Sequence, residues 1–203
     1  PEHAQFLTRS SPADNMAVFA QYLPLLGGVE DDIVTCFREG GGVPYERFPR
    51  FHEVMAEDSG QSVLPALEDH ILPLAPGLQD RLDAGIRVAD VGCGRGLALL
   101  QLAEAHPAST FTGYDFSVEA IEYARKLAAD RGLTNVRFEV QDAARLEDAL
   151  PARSVDLVTT FDAVHDQADP RALLRGIRHV LAPDGVYLCQ DIDATSTHHG
   201  DRD

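Results

Sequence analysis

Three acidic residues and three glycines carry the spacing of a ligand-binding edge. Val88-Ala89-Asp90-Val91-Gly92-Cys93-Gly94-Arg95-Gly96 closes an apolar, β-rich run and opens a helical one. Glycines at such a junction let backbone approach a ligand closely. The first turn of the following helix offers unpaired N–H groups and partial positive charge. Asp90, two residues before the first glycine, can hold a cationic ammonium or the loop itself. Asp115 ends a second β-rich run, roughly twenty residues after Gly92, the spacing of the acid that grips ribose hydroxyls in dinucleotide-binding folds. Asp142 ends a third, in Val140-Gln141-Asp142-Ala143. Each carboxylate alone reads as a helix cap. Three at the carboxyl ends of successive strands read as one site, because open α/β sheets bind ligands at that edge.

One further side chain has proton chemistry. His165 follows a fourth β-rich run in Phe161-Asp162-Ala163-Val164-His165-Asp166. An unperturbed imidazole titrates at about 6.5, so at neutral pH it is mostly a free base. Asp166 or Asp162 would orient it. The alternative is a loop histidine that only bonds backbone.

The elements that must position these groups alternate from Ile86 onward. Strands are expected over Ile86–Val91, Thr110–Tyr114, Val136–Val140, Val155–Phe161 and Val186–Gln190, the last after a Pro183-Asp184-Gly185 turn. Helices are expected over Leu97–Ala105, over Ser117–Arg131 with Ser117 as N-cap and Gly132 as stop, and from Asp169-Pro170 onward. Between the third and fourth strands Ala143 to Leu150 leaves room for a turn or two. Such alternation means βαβ units and a Rossmann-like, doubly wound parallel sheet, here in the order 3-2-1-4-5. The α/β core is expected over residues 85–193.

Residues 1–84 read as a helical cap over the carboxyl strand ends. Helices are expected over Ala13–Leu26, Val29–Arg38, Phe48–Glu57 and Ser62–Leu72, with Phe48, Phe51, Val54 and Met55 on one face. Pro73 and Pro76 then lead to a short turn over Gln79–Leu82. Tyr45, His52 and Met55 are candidate substrate contacts, with internal packing as the alternative reading. Residues 194–203 form a polar tail; the adjacent His198-His199 pair is assigned no metal. Pro1 and this tail are read as marks of a fragment that stops before strands 6 and 7.

Composition excludes several classes. The 203 residues carry a net charge of −16, and Lys126 is the only lysine. So acidic a surface repels phosphate backbones, so no nucleic-acid partner is expected. Apolar stretches are too short for the roughly 20 residues of a membrane helix. Cys36, Cys93 and Cys189 fit neither a disulfide framework nor a metal spacing; they are expected to be buried thiols in a reducing cytoplasm. No metal is assigned, and a homodimer is compatible with the sequence.

VADVGCGRG, FTGYDFSVEAIEYAR, VRFEVQDAARL, SVDLVTTFDAVHD and LAPDGVYLCQDI together resemble the successive motifs of class I S-adenosylmethionine-dependent methyltransferases, over about residues 85–193. The resemblance implies that Gly92, Cys93, Gly94 and Gly96 lie under the methionine part of the cofactor, and that Asp115, with Phe116 beside it, binds the ribose diol. Asp142 would bind the adenine amino group and Ala143 pack on the ring, while Phe161 and Asp162 edge the sulfonium. S-adenosylhomocysteine is then the product. The front segment, GGGVPYERFPRFHEVMAEDSG, is similar to the helical segment of a bacterial branch that often begins with a winged helix and ends in a strand hairpin. The Val-His-Asp run resembles the histidine-aspartate motif of small-molecule O-methyltransferases, with Gln167 where those usually have an aromatic. This implies a small-molecule acceptor, O-methylation and His165 as general base. A nicotinamide dehydrogenase is disfavoured by Leu97 at the sixth motif position and by Asp90. A regulatory module that binds the cofactor without turnover and a scaffold with a vestigial site are the other classes to exclude.

Overall fold

Strands and helices alternate from Arg87 to Gln190, and every strand pairs in parallel. The computed structural model describes residues 4–8 and 15–193. Within these, the chain divides into two units, Pro1–Asp69 and His70–Asp203.

The first unit is helical: α1 (Ala4–Leu7), α2 (Met16–Phe19), α3 (Tyr22–Gly27), α4 (Glu30–Glu39), α5 (Phe51–Ser59) and α6 (Val63–Ala66). The single helix expected over Ala13–Leu26 is broken between α2 and α3. Pro24 has no N–H for the Ala20 carbonyl four residues back, and its ring crowds that oxygen. Asn15 caps α2, its side chain accepting from the Ala17 N–H; Ala13 and Asp14 lie outside the described residues. Gly40, at φ 80°, ends α4. The helix expected from Phe48 starts only at Phe51, because Tyr45–Arg47 forms a 3-10 turn and Arg50 is left-handed at φ 61°. Val54 is buried, with Phe48, Phe51 and Met55 half-buried. Beyond α6 the helix widens into a π-helical turn, Leu67–Ile71, that crosses the unit boundary.

The second unit begins with a 3-10 turn, Leu72–Leu74, and α7 (Leu78–Ala84), a full helix where only a short turn was expected. Leu78 and Leu82 are fully buried, the Leu82 carbonyl accepts from Ser109 Oγ at 2.6 Å, and Asp83 pairs with His106. These contacts tie residues 70–84 to the α/β unit. The boundary therefore falls after Asp69, earlier than the expected 84/85.

The sheet elements are β1 (Arg87–Val91), α8 (Leu97–Ala105), β2 (Thr110–Asp115), α9 (Val118–Asp130), β3 (Val136–Val140), α10 (Leu146–Ala149), β4 (Val155–Phe161), α11 (Pro170–Val180) and β5 (Leu181–Gln190). A 3-10 turn, Ala143–Arg145, precedes α10. The strand order is 3-2-1-4-5, as expected. β5 differs in detail: Leu181 pairs with Val155 and Val186 with Leu157, so the Pro183-Asp184-Gly185 turn bulges out of the strand instead of preceding it. Ser117 and Asp169 cap α9 and α11, accepting from the N–H groups of Ala120 and Ala172. Leu173, Ile177 and Val180 of α11 bury against Val91, Val155 and Val158 of the sheet. Each such fully buried side chain contributes about 1.5–3 kcal/mol. Among the described residues no helix is long and apolar enough to cross a membrane.

Candidate active site

β1, the middle strand, delivers Asp90 to the carboxyl edge of the sheet. Asp90 is buried, and its Oδ1 accepts a hydrogen bond of 2.7 Å from Thr159 Oγ1 on β4. Burial pushes its pKa up to about 7; the Thr159 hydrogen bond works against this and the Asp115 charge adds to it.

The chain then leaves the sheet, with the N–H groups of Gly92 and Cys93 both bonding the Tyr114 carbonyl. Gly96 must be glycine: its φ is 72°, and a Cβ there would come within 2.4 Å of the Phe138 ring. Gly94 is left-handed too, at φ 52°, but its surroundings are open. A Cβ there would meet no atom within 4 Å, so this backbone stays open to an approaching ligand. The Cys93 thiol is pushed up in pKa by burial and by Asp90 and Asp115, which keeps it protonated and inert.

Asp115, at the end of β2, joins the loop to α9. Its Oδ2 accepts from Gly94 N at 2.9 Å and its Oδ1 from Ser117 N at 2.8 Å. Each carboxylate oxygen has two acceptor positions, so both can still receive a ribose hydroxyl. Phe116 next to it is exposed. At the end of β3, Asp142 is exposed and caps the following turn through Ala144 N, while Ala143 is buried. The Gln141 N–H bonds the Asp115 carbonyl and so ties the β3 end to the β2 end. Phe161 closes β4 half-buried, and Asp162 turns the chain in the left-handed region at φ 50°. The open loop backbone, the paired carboxylates and the buried acid beneath them fit an adenosyl cofactor with a cationic amino-acid end.

The β4–β5 end holds different chemistry. His165 Nδ1 lies 2.5 Å from Oδ1 of Asp191, the residue after β5. Asp166 is only an ion-pair neighbour, with Oδ1 3.4 Å from Nε2, and Asp162 Oδ1 accepts from Gln190 Nε2. The expected orienting partners, Asp166 and Asp162, thus yield to Asp191, because the chain turns at Asp162 and faces His165 toward β5. Burial lowers the His165 pKa, but the Asp191 hydrogen bond and the charges of Asp166, Asp191 and Asp162 outweigh it and raise it overall. Sequence reasoning missed Asp191, although it sits at a carboxyl strand end like the other acids.

Asp162, His165 and Asp191 each offer a ligand atom, all within 4.8 Å of one another, and form the single cluster with metal-ligand chemistry among the described residues. Neighbouring ligands of one octahedral ion with bonds of about 2.1 Å sit about 3 Å apart. The Nδ1–Oδ1 separation of 2.5 Å is instead that of a direct hydrogen bond.

Tyr45, His52 and Met55 belong to the helical unit. The rings of Tyr45 and His52 are 6.0 Å apart, and Phe51 packs on Tyr45 at 4.4 Å. Tyr45 and His52 are half-buried in this ring cluster, and Met55 is half-buried as well. Cys36, Cys93 and Cys189 are free; against the expectation of buried thiols, Cys36 and Cys93 are half-buried and Cys189 is exposed.

The fold and the glycine-carboxylate edge define a class, and comparison with known proteins agrees. The chain belongs to the class I S-adenosylmethionine-dependent methyltransferases, with residues 82–201 matching a family described as a methyltransferase domain. It is 32% identical over 133 residues to the ubiquinone biosynthesis O-methyltransferase of Actinobacillus pleuropneumoniae, covering 64% of this chain and 54% of that one. The nocamycin O-methyltransferase of Saccharothrix syringae is 35% identical over 116 residues, which cover 56% of this chain and 41% of that one. The crystal structure of YcgJ from Bacillus subtilis superposes with a TM-score of 0.52 at 32% identity, covering 60% of this chain and 50% of that one. The chain spans about half the length of the curated relatives it matches.

Proposed function

We propose that the complete protein transfers a methyl group from S-adenosylmethionine to a hydroxyl oxygen of a small molecule. The observation that carries this reading is the shared edge of Asp90, the Gly92–Gly96 loop, Asp115 and Asp142 beside the solvent-accessible imidazole of His165. The cofactor supplies an electrophilic methyl on a sulfonium. The residues of the chain dock it, hold the acceptor oxygen in line and remove a proton. Asp115 and Asp142 bind the adenosine half, Gly92, Cys93, Gly94 and Gly96 the amino-acid half with Asp90 beneath, and Phe116, Ala143, Phe161 and Asp162 line it. His165 Nε2 takes the hydroxyl proton as the oxygen attacks the methyl carbon and the carbon–sulfur bond breaks, its electron pair passing to sulfur. Substrate contacts for Tyr45, His52 and Met55 belong to the same proposal and rest on residue type alone.

Two relatives named as O-methyltransferases support an oxygen acceptor. The charge of −16 supports a small acceptor over a nucleic acid, and three free thiols support a cytoplasmic setting. The test is release of S-adenosylhomocysteine from S-adenosylmethionine with a panel of phenols and catechols. Tight cofactor binding with no release on any acceptor would favour a sensing module instead.

A further inference from the structure

We infer that Asp191 is the positioning residue of the site: it accepts the His165 Nδ1 proton and thereby leaves the imidazole lone pair on Nε2. The inference rests on His165 being the base, and it names the group that makes it one.

Asp191 is built for the task by the backbone around it. Its Oδ2 accepts from the N–H groups of Val164 and His165 at 3.2 and 3.3 Å, and its Oδ1 from Ile192 N at 2.8 Å. Its side chain is 19% exposed, against 53% for Asp166. Burial alone would raise the Asp191 pKa, but the Ile192 N–H and His165 bonds outweigh this and hold it below the ordinary carboxylate value. An ionised carboxylate can only accept, so the short contact requires a proton on Nδ1. Which ring nitrogen of a neutral histidine keeps its lone pair is set by the bond the other makes. Nε2 is therefore the proton acceptor. Among the described residues its ion-pair neighbour is Asp166, on a side chain exposed enough to swing aside for an acceptor hydroxyl.

The carboxylates facing the ring are Asp162 and Asp166 from the β4–α11 connection and Asp191 from the end of β5. All three favour imidazolium. Only Asp191 also dictates the tautomer of the neutral ring, and this separates positioning from simple charge.

The experiment is long-range proton–nitrogen NMR on the 203-residue chain with labelled histidine, in the presence of a chelator, with His165→Gln for assignment. The neutral wild-type ring is expected as the Nδ1–H form, opposite to the preference of a histidine side chain in water, with a midpoint above about 6.5. Asp191→Asn should lower the midpoint and mix the tautomers, whereas Asp166→Asn should lower the midpoint and leave Nδ1–H in place. A wild-type ring protonated on Nε2 overturns the inference, and so does an Asp191→Asn spectrum indistinguishable from wild type. Should Asp191→Asn fail to fold, the wild-type tautomer alone decides. The base reading fails separately, when the tautomer is as expected yet His165→Gln converts S-adenosylmethionine to S-adenosylhomocysteine, with catechol as the probe acceptor, at the wild-type rate.

Discussion

At the carboxyl ends of β1 and β2 the working groups are mostly backbone, whereas at the ends of β4 and β5 they are side chains. The loop at Gly92–Gly96 offers open main chain, and its two carboxylates are buried and bonded to neighbouring strands and turns. The His165 side chain is 36% exposed and depends on Asp191, another side chain, for its orientation. The first region can hold one conserved chemical shape, an adenosyl group. The second can be rebuilt residue by residue for different acceptors without disturbing the first. On the function proposed above, a donor site of open main chain and fixed carboxylates would lie beside an acceptor site of exchangeable side chains, an arrangement that lets one fold serve many substrates with one cofactor.

The largest effect should separate the two regions cleanly. His165→Ala is expected to slow turnover by about 10²–10⁴ while leaving S-adenosylhomocysteine affinity unchanged, read by initial rates and calorimetry. Near-normal turnover on the true acceptor would make the histidine structural.

Gly96→Ala strikes the other region. It forces a side chain into the left-handed conformation and against Phe138, a destabilisation of about 2–4 kcal/mol by urea denaturation. An unchanged midpoint would mean that the loop can relax at no cost.

Asp115→Ala removes a charged acceptor from the ligand and the link between loop and α9. A loss of about 1.5–3 kcal/mol, or roughly 10–150-fold in S-adenosylhomocysteine affinity, is expected by calorimetry. Equal affinity for a folded variant would shift the ribose contact elsewhere.

The remaining test reads a slope with pH. The Asp90 carboxyl has a folded-state pKa of about 7, above its unfolded value, so it stabilises the fold fully below the unfolded value. That contribution is lost as pH rises from about 4 to about 7. Asp90→Asn should lack this decline, so the stability difference between wild type and variant should fall across that window in denaturation curves. A constant difference would show that Asp90 is ionised in the fold throughout.

The same contrast explains what was legible in the sequence. α8, β3 and β4 fall where apolar periodicity and stop residues place them, and the glycine loop with its strand-end acids is a local pattern of residue types. The break at Ala20 was missed, although Pro24 carries a signal for it. The π-helical turn at Leu67–Ile71 and the bulge at residues 182–185 have no local signature, because packing and strand register impose them. The His165–Asp191 pair joins two strand ends across 26 residues and depends on the left-handed turn at Asp162. No spacing rule connects those two positions.

Asp115 reaches one oxygen to the glycine loop and the other to the start of α9. Both bonds are made by the chain's own backbone, so on the function proposed above the walls of the adenosine site would be held by the fold and a ligand would have little left to order on arrival. The amides of Gly94 and Ser117 should then resist hydrogen exchange in the ligand-free chain nearly as well as amides inside the sheet. Association should proceed at the roughly 10⁵–10⁷ M⁻¹s⁻¹ of docking onto a ready surface, with no slower phase for loop closure on that side.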